Sequence, residues 1–487
     1  MPALVDWPGG LPPLDRVRAA DFGPAFAWAM QRKRDELAEI ATQPAPATFD
    51  NTIAALERSG LALSDLRALF DLWGRAFRDD AYDAVEEALG PKLAAFAAEI
   101  VQDPKLARRV ETVWRARGNT TTEQRRLTEL VYDRFAAARL PASARARVIE
   151  LDARIEELYA RFNQQLAAGS AATAVVLRDQ ADLVGLPAPL RADLAAAATA
   201  RSLTGAWVIT NQYNAIQAFL AASPRRDLRE RVWQASKHRA DRPPHDNTAI
   251  VKEVLRLRGE RARLVGKASY AGWKTERSML AAPQARDWLM TLAGPASEQA
   301  RAEIAILQHA ADKLQDAAHA PRFALQPWDL RYYEERVRIS QYELDEAEIA
   351  AYLELDRVRD AAFWVAGQLF ELTLTALPDA PVPSKDVTMW SVDDKAGKRI
   401  GVLVFDPHPR PGKDGGAWAL GLRDQQRVVP GRVPVASVHY NLPHGHLTWF
   451  EAVGLFPHIR ASRASTFPAT RSRWRVSGSS ATSRRPR

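Results

Sequence analysis

The stretch RVIELDARIEELYARFNQQLAA, Arg147 to Ala168, decides the fold class. Its apolar residues Val148, Leu151, Ile155, Leu158, Phe162 and Leu166 recur at three- and four-residue steps, with Arg, Glu and Asp between them. That period lays one apolar stripe along a helix and turns charge to water. The pattern returns over residues 14–41, 50–72, 81–116, 123–138, 211–238, 247–265, 283–316 and 346–375. Joints such as TQPAPATFDN and HRADRPPHDN separate the runs, with Asp50 or Asn51 and Asp246 or Asn247 placed as caps. No fixed-period repeat links them, which argues against a solenoid. One region reads differently. RIGVLVFDPHPR (Arg399–Arg410) and RVPVASVHYN (Arg432–Asn441) are β-rich and partly alternating, joined through the Gly-rich GKDGGAW. The expected fold is therefore mainly α, a large multi-helix body with a small β-sheet near residues 399–440.

Composition narrows the function. The 487 residues are 47% apolar, enough for a sizeable core. No run approaches the roughly 18 apolar residues that span a bilayer. The start, MPALVDWPGGLPPLDRV, has neither a basic region nor an apolar core of a signal peptide, so a cytoplasmic address is expected. Without cysteine there is no disulfide, thiolate metal site or Cys nucleophile. The net charge of +8 sits in the last segment. Residues 457–487 carry eight of the 67 basic residues and no acid, leaving 59 to balance 59 acids in residues 1–456. A neutral body carries no basic stripe, so neither nucleic acid nor membrane is an expected partner.

Three further motifs weigh toward structure. HYNLPHGH places His439, His444 and His446 close together, but at no helical spacing and across a Pro-Gly loop, so structural roles outweigh metal ligation. PRPGKDGGAW lacks the Ser or Thr after Gly-Lys that a phosphate cradle needs, and reads as a tight turn beside the sheet. PWDLRYY (Pro327–Tyr333) reads as a core corner whose polar tips find partners.

Five motifs in order carry a resemblance: TFDNTIAALERSG (Thr48–Gly60), LQPWDLRYYEERVR (Leu325–Arg338), YLELDRVRDAAFWVAGQLFELT (Tyr352–Thr373), FDPHPRPGKDGGAW (Phe405–Trp418) and LTWFEAVGLF (Leu447–Phe456). Together they resemble the thimet oligopeptidase and oligopeptidase A family of zinc metallopeptidases, most of all its bacterial peptidyl-dipeptidase branch. The resemblance implies a channel-type helical fold, short peptides as substrates, dipeptides released from a free C-terminus, and zinc as the family's cofactor. It implies an N-terminal helical domain over 1–245 and an incomplete peptidase domain over 246–456. Residues 457–487, with eight Arg, seven Ser and no acid, bury too little apolar surface to order and are expected to be a basic, disordered out-of-frame tail. By family motif, Arg410, Gly415, Gly416 and Trp418 line the substrate channel. His408 stands where the family has Tyr.

The departure at the end is larger. Thr448 and Glu451 begin a helix as a capping box. In the family, Leu-Phe then leads into His-Glu-Phe-Gly-His, whose two His bind zinc while the Glu activates water. Here Leu455 and Phe456 are followed by Pro457-His458-Ile459-Arg460-Ala461, and no His-Glu-x-x-His occurs in the sequence. No catalytic or metal residue is therefore assigned, and zinc is not expected on this chain. A base deleted near the Pro457 codon permits His, Phe, Gly and His in register, though not the Glu, so a truncated, frameshifted reading is expected. On that reading the chain is an inactive metallopeptidase, a monomer or prone to aggregate. The alternatives are a non-catalytic peptide binder using the strand near Val433–His439, and an adaptor acting through the basic tail.

Overall fold

The computed structural model describes residues 3–5, 7–276, 278–342, 346–426, 429–449 and 451–455. The segment 457–487 lies outside the described residues. The chain divides into two compact units, Met1–Ile40 with Ala54–Gly90 and Ile349–Arg487, and Ala41–Ile53 with Pro91–Glu348. Neither follows the linear division at residue 245. The chain leaves the first unit at Gly90 and re-enters it at Ile349, a route that no local pattern announces.

The second unit is built on helix pairs. Helix Ala142–Ala172 buries Val148, Leu151, Ile155 and Leu158, as its period requires. Leu151, Ile155 and Leu158 meet Ile250, Val254 and Leu257 of helix Thr248–Leu264. Each buried side chain of this kind stabilises by about 2 kcal/mol. At the start of the second helix Asn247 holds the N-cap position and donates to the Phe162 carbonyl at 3.1 Å, while Asp246 just before it accepts from the Thr248 amide at 2.8 Å. Strands β1 (Val175–Leu177) and β2 (Trp207–Ile209) form a small antiparallel sheet that the sequence reading did not anticipate. Three residues are too few to show a period of two.

Two long helical patterns of this unit are broken. The run 211–238 is two helices, Tyr213–Ala222 and Arg226–Lys237, separated at Ser223-Pro224. Asp103 caps a new helix, Pro104–Arg115, inside the run 81–116, because proline fits a first helical turn and not an interior. PWDLRYY opens helix Pro327–Tyr342 and is the expected corner: fully buried Asp329 accepts from Arg226 and from Arg229 at 2.8 Å.

In the first unit the run 50–72 breaks at Gly60, whose φ of +72° ends one helix before Leu61–Ala76 begins. Phe22 meets Phe70 and Tyr82 edge-to-face behind it, with the tilted Phe70 and Tyr82 rings 4.7 Å apart. The run 346–375 also divides, into helices Glu346–Ala350 and Leu355–Phe370 and then a strand. The main sheet is larger than the stretch near 399–440. Its strands are β3 (Thr373–Ala376), β4 (Thr388–Asp393), β5 (Arg399–Asp406), β6 (Trp418–Arg423) and β7 (Val435–His439). They lie in the order β3-β4-β5-β7-β6, with β5 and β7 parallel and the other pairs antiparallel. Leu403, Phe405, Ala436 and Val438 pack beneath helix Leu355–Phe370 and against Leu447 and Leu455. The capping box forms as its spacing requires: the Glu451 amide donates to Thr448 Oγ1 at 3.2 Å, and the Thr448 amide to Glu451 Oε2 at 2.9 Å. Tyr440 Oη then donates to the Leu455 carbonyl at 2.8 Å, tying that turn to the sheet.

Candidate functional site

The parallel register of β5 and β7 sets Asp406 opposite His439, and the antiparallel register of β6 sets Trp418 opposite His439. Three strand ends thus meet at one place. Asp406, fully buried, accepts from Arg410 Nη1 at 2.8 Å and Nη2 at 2.6 Å, from Lys413 Nζ at 2.8 Å, and from His439 Nδ1 at 2.8 Å. Burial pushes the Asp406 carboxyl up, but hydrogen bonds from Arg410 and His439 and the Lys413 charge hold it well below the usual carboxylate range. Burial lowers Lys413 to about 8 even though Asp406 supports its charge. His439 is held down by burial, which outweighs the Asp406 hydrogen bond that favours its charged form. A neutral His439 therefore donates Nδ1–H to the carboxylate and keeps a bare lone pair on Nε2. That atom is buried without a hydrogen-bond partner among the described residues.

The loop between β5 and β6 is pinned by its backbone. Gly412 adopts a φ of +76°, and a Cβ there would lie 1.9 Å from the Arg78 carbonyl oxygen. The Arg78 amide in turn donates to the Gly412 carbonyl at 3.1 Å. Only glycine satisfies both demands, and the motif is the tight turn its composition suggested. Trp418 stacks on His439 at 3.8 Å, and the Arg75 guanidinium lies 4.1 Å from the Trp418 ring centroid. At the far end of β6, Arg423 donates to buried Asp65 at 2.8 Å.

The four residues assigned by family motif fall into two environments. Arg410 spends its guanidinium on Asp406 and on the Ala76 carbonyl, 2.8 Å away. Trp418 is buried against His439. Gly415 and Gly416 are exposed, with nothing within 4 Å of where a Cβ would stand. Asn441 Nδ2 holds the Gly416 carbonyl at 2.8 Å and the Asp414 carbonyl at 2.9 Å. The sequence reading missed Asp406 and Lys413. Their signal was an acid ending a β run, with Arg and Lys four and seven residues on.

The three histidines of HYNLPHGH do not converge. His439 is committed to Asp406, and exposed His444 stacks on His408 with ring centroids 3.7 Å apart. His408 Nδ1 lies 3.1 Å from the Leu442 carbonyl. Among the described residues no group of three or more His, Asp or Glu gathers as metal ligands. These residues therefore do not fit a zinc ion, which needs three converging protein ligands. β7 is also not an open edge for a peptide. It is paired with β5 on one side and β6 on the other, so strand addition near Val433–His439 is corrected. The outer strand on this side is β6.

A helical body, a five-stranded sheet and the Asp406 loop at its end define the class to which comparison points. The model of peptidase family M3 matches residues 219–454. The chain belongs to that family. It is 32% identical to dipeptidyl carboxypeptidase of Escherichia coli (strain K12) over 91% of its own length and 66% of the relative's. It is 28% identical to the probable cytosolic oligopeptidase A of Arabidopsis thaliana over 88% of this chain and 63% of that protein. For oligopeptidase A of E. coli the identity is 25%, over 90% and 65%. The chain thus spans less than two thirds of the length of the relatives it matches. Among the described residues no helix is long and apolar enough to cross a membrane.

Proposed function

We propose that this chain binds short peptides as extended strands along β6, and that, as written, it does not hydrolyse them. The observation that carries this reading is the position of β6. Among the described residues it borders β7 on one side and pairs with no strand on the other, where helix Leu61–Ala76 packs beside it, and it begins two residues after the exposed Gly415-Gly416 backbone. Arg75 over Trp418 and Asp65 on Arg423 hold its two ends, while Ala419, Leu420 and Gly421 between them are only half-buried. Strand addition supplies affinity through main-chain hydrogen bonds and needs no particular sequence, which suits a peptidase acting on many peptides. The family and the similarity to dipeptidyl carboxypeptidase support peptides with a free C-terminus as ligands. The lack of a His-Glu-x-x-His motif in the sequence supports the absence of hydrolysis and of zinc.

The test is fluorescence anisotropy with a labelled peptide and its backbone N-methylated analogue, beside elemental analysis. The parent should bind saturably and the analogue should not, with zinc well below one per chain. Equal binding of the two peptides would remove the strand-addition reading. Stoichiometric zinc with chelator-sensitive cleavage would remove the inactive one. Exposed Tyr352, Trp364, Leu369, Trp449 and Val453 in the first unit support self-association rather than a stable monomer.

A further inference from the structure

A cavity of about 420 Å³ opens in the second unit where helix Ala142–Ala172, β1 and helix Arg226–Lys237 approach the loop that follows Lys237. Its lining includes Arg231, Arg239, Arg242, His238 and His245. We propose that it binds a phosphate group, free or carried by a small ester.

The charge inventory favours a multivalent anion. Three guanidiniums line the space, and the neighbouring carboxylate, Asp241, is engaged with His238 Nδ1 at 2.9 Å. Both helices end toward the cavity, and each C-terminus contributes about half a negative charge. Counting Asp241 in full, an excess of roughly one positive charge remains. The donors are also free to act. Arg231 Nη2 donates to the Val176 carbonyl at 3.2 Å and Arg239 Nη1 to the Ser236 carbonyl at 3.2 Å. Those bonds orient the two exposed side chains and leave most N–H groups of each guanidinium unused. The Arg242 side chain makes no hydrogen bond or ion pair among the described residues. The wall behind them is tied together by Asn211. Asn211 Nδ2 joins Thr173 Oγ1 at 2.6 Å to the Ala235 carbonyl at 3.1 Å, fastening the end of one helix to the other. Arginine forks match the paired oxygens of a phosphate, and a volume near 400 Å³ accommodates a small ester.

The experiment is calorimetric titration of the full chain at fixed ionic strength with inorganic phosphate, glycerol phosphate and acetate. Phosphate or its ester should bind saturably at millimolar concentration or below, and acetate should not. Tighter binding of glycerol phosphate identifies an ester site, and tighter binding of phosphate a free-ion site. Arg242→Ala breaks no internal bond, so it should fold normally and weaken binding about tenfold, and Arg242→Glu should abolish it. No saturable heat with either phosphate, equal response to acetate, or unchanged affinity in both variants overturns the proposal.

Discussion

Asp329 in the second unit and Asp406 in the first are both fully buried carboxylates surrounded by cations, yet they are different devices. Asp329 is held by Arg226 and Arg229, both from one helix, and by the Gln326 amide at 3.0 Å. Its partners carry permanent charge, and the helices they join are structural. Asp406 is held by one permanent charge, Arg410, and by two groups that titrate, Lys413 and His439. Its partners come from the loop after β5 and from the end of β7, beside an exposed glycine pair. Each place also buries an indole N–H without a partner among the described residues, Trp328 and Trp418, so an orphaned donor does not distinguish them. The orphaned acceptor on His439 does. A buried acid locked by arginines stabilises a corner, whereas one shared with Lys and His keeps a site adjustable by pH.

The largest effect expected is from Asp406→Ala. It leaves Lys413, whose side chain is fully buried, beside Arg410 with no counter-charge. Removing one partner of a buried ion pair costs about 3–5 kcal/mol. Denaturant melting should shift by that amount or lose cooperativity in the first unit. Asp329→Ala should cost less, about 3 kcal/mol, because Arg226 is 38% exposed and can turn to water while only Arg229 is stranded. If the second variant is the more damaging, the contrast between the two acids is wrong. Gly412→Ala comes next. A Cβ 1.9 Å from the Arg78 carbonyl oxygen, on a left-handed backbone, should cost about 1–3 kcal/mol and weaken peptide binding at the neighbouring β6. A variant as stable as the parent would mean that the loop relaxes freely.

How much of this was legible depended on how local the determinant was. The period through Val148, Leu151, Ile155 and Leu158, the Thr448–Glu451 cap and the turn at Gly412 each lie within a few residues, and each formed. The breaks at Gly60, Asp103 and Pro224 were written in single residues that the apolar period obscured. The Asp406 cluster was legible only in part. Arg410 and Lys413 follow Asp406 closely, but His439 arrives through a parallel pairing across 33 residues, with β6 formed between. The sequence alone favours β7 as the binding strand, since its open or paired edge is set by which strand lands beside it.

The smallest effect is the most specific test of the contrast, because it depends on sign. His439 has a folded pKa below its ordinary value, so the folded chain resists a proton that the unfolded chain accepts near pH 6.5. Stability should therefore decline as pH falls below about 6.5, before any carboxylate titrates. Asp406, also lowered, adds its own loss only below about pH 4, where the unfolded acid protonates while the folded one stays ionised. Lys413 acts oppositely at the alkaline end. With a folded value of about 8, it binds fewer protons than the unfolded chain above that pH, so its contribution to stability rises as pH increases toward 10.5. His439→Gln keeps a donor for Asp406 and removes the titration. It should cost about 1 kcal/mol at neutral pH and flatten the decline between pH 6.5 and about 5. Asp329→Ala should leave the slope of that decline unchanged, since it leaves His439 and its Asp406 partner in place. An unaltered slope in His439→Gln would mean that the imidazole is not the group that makes the Asp406 cluster pH-sensitive.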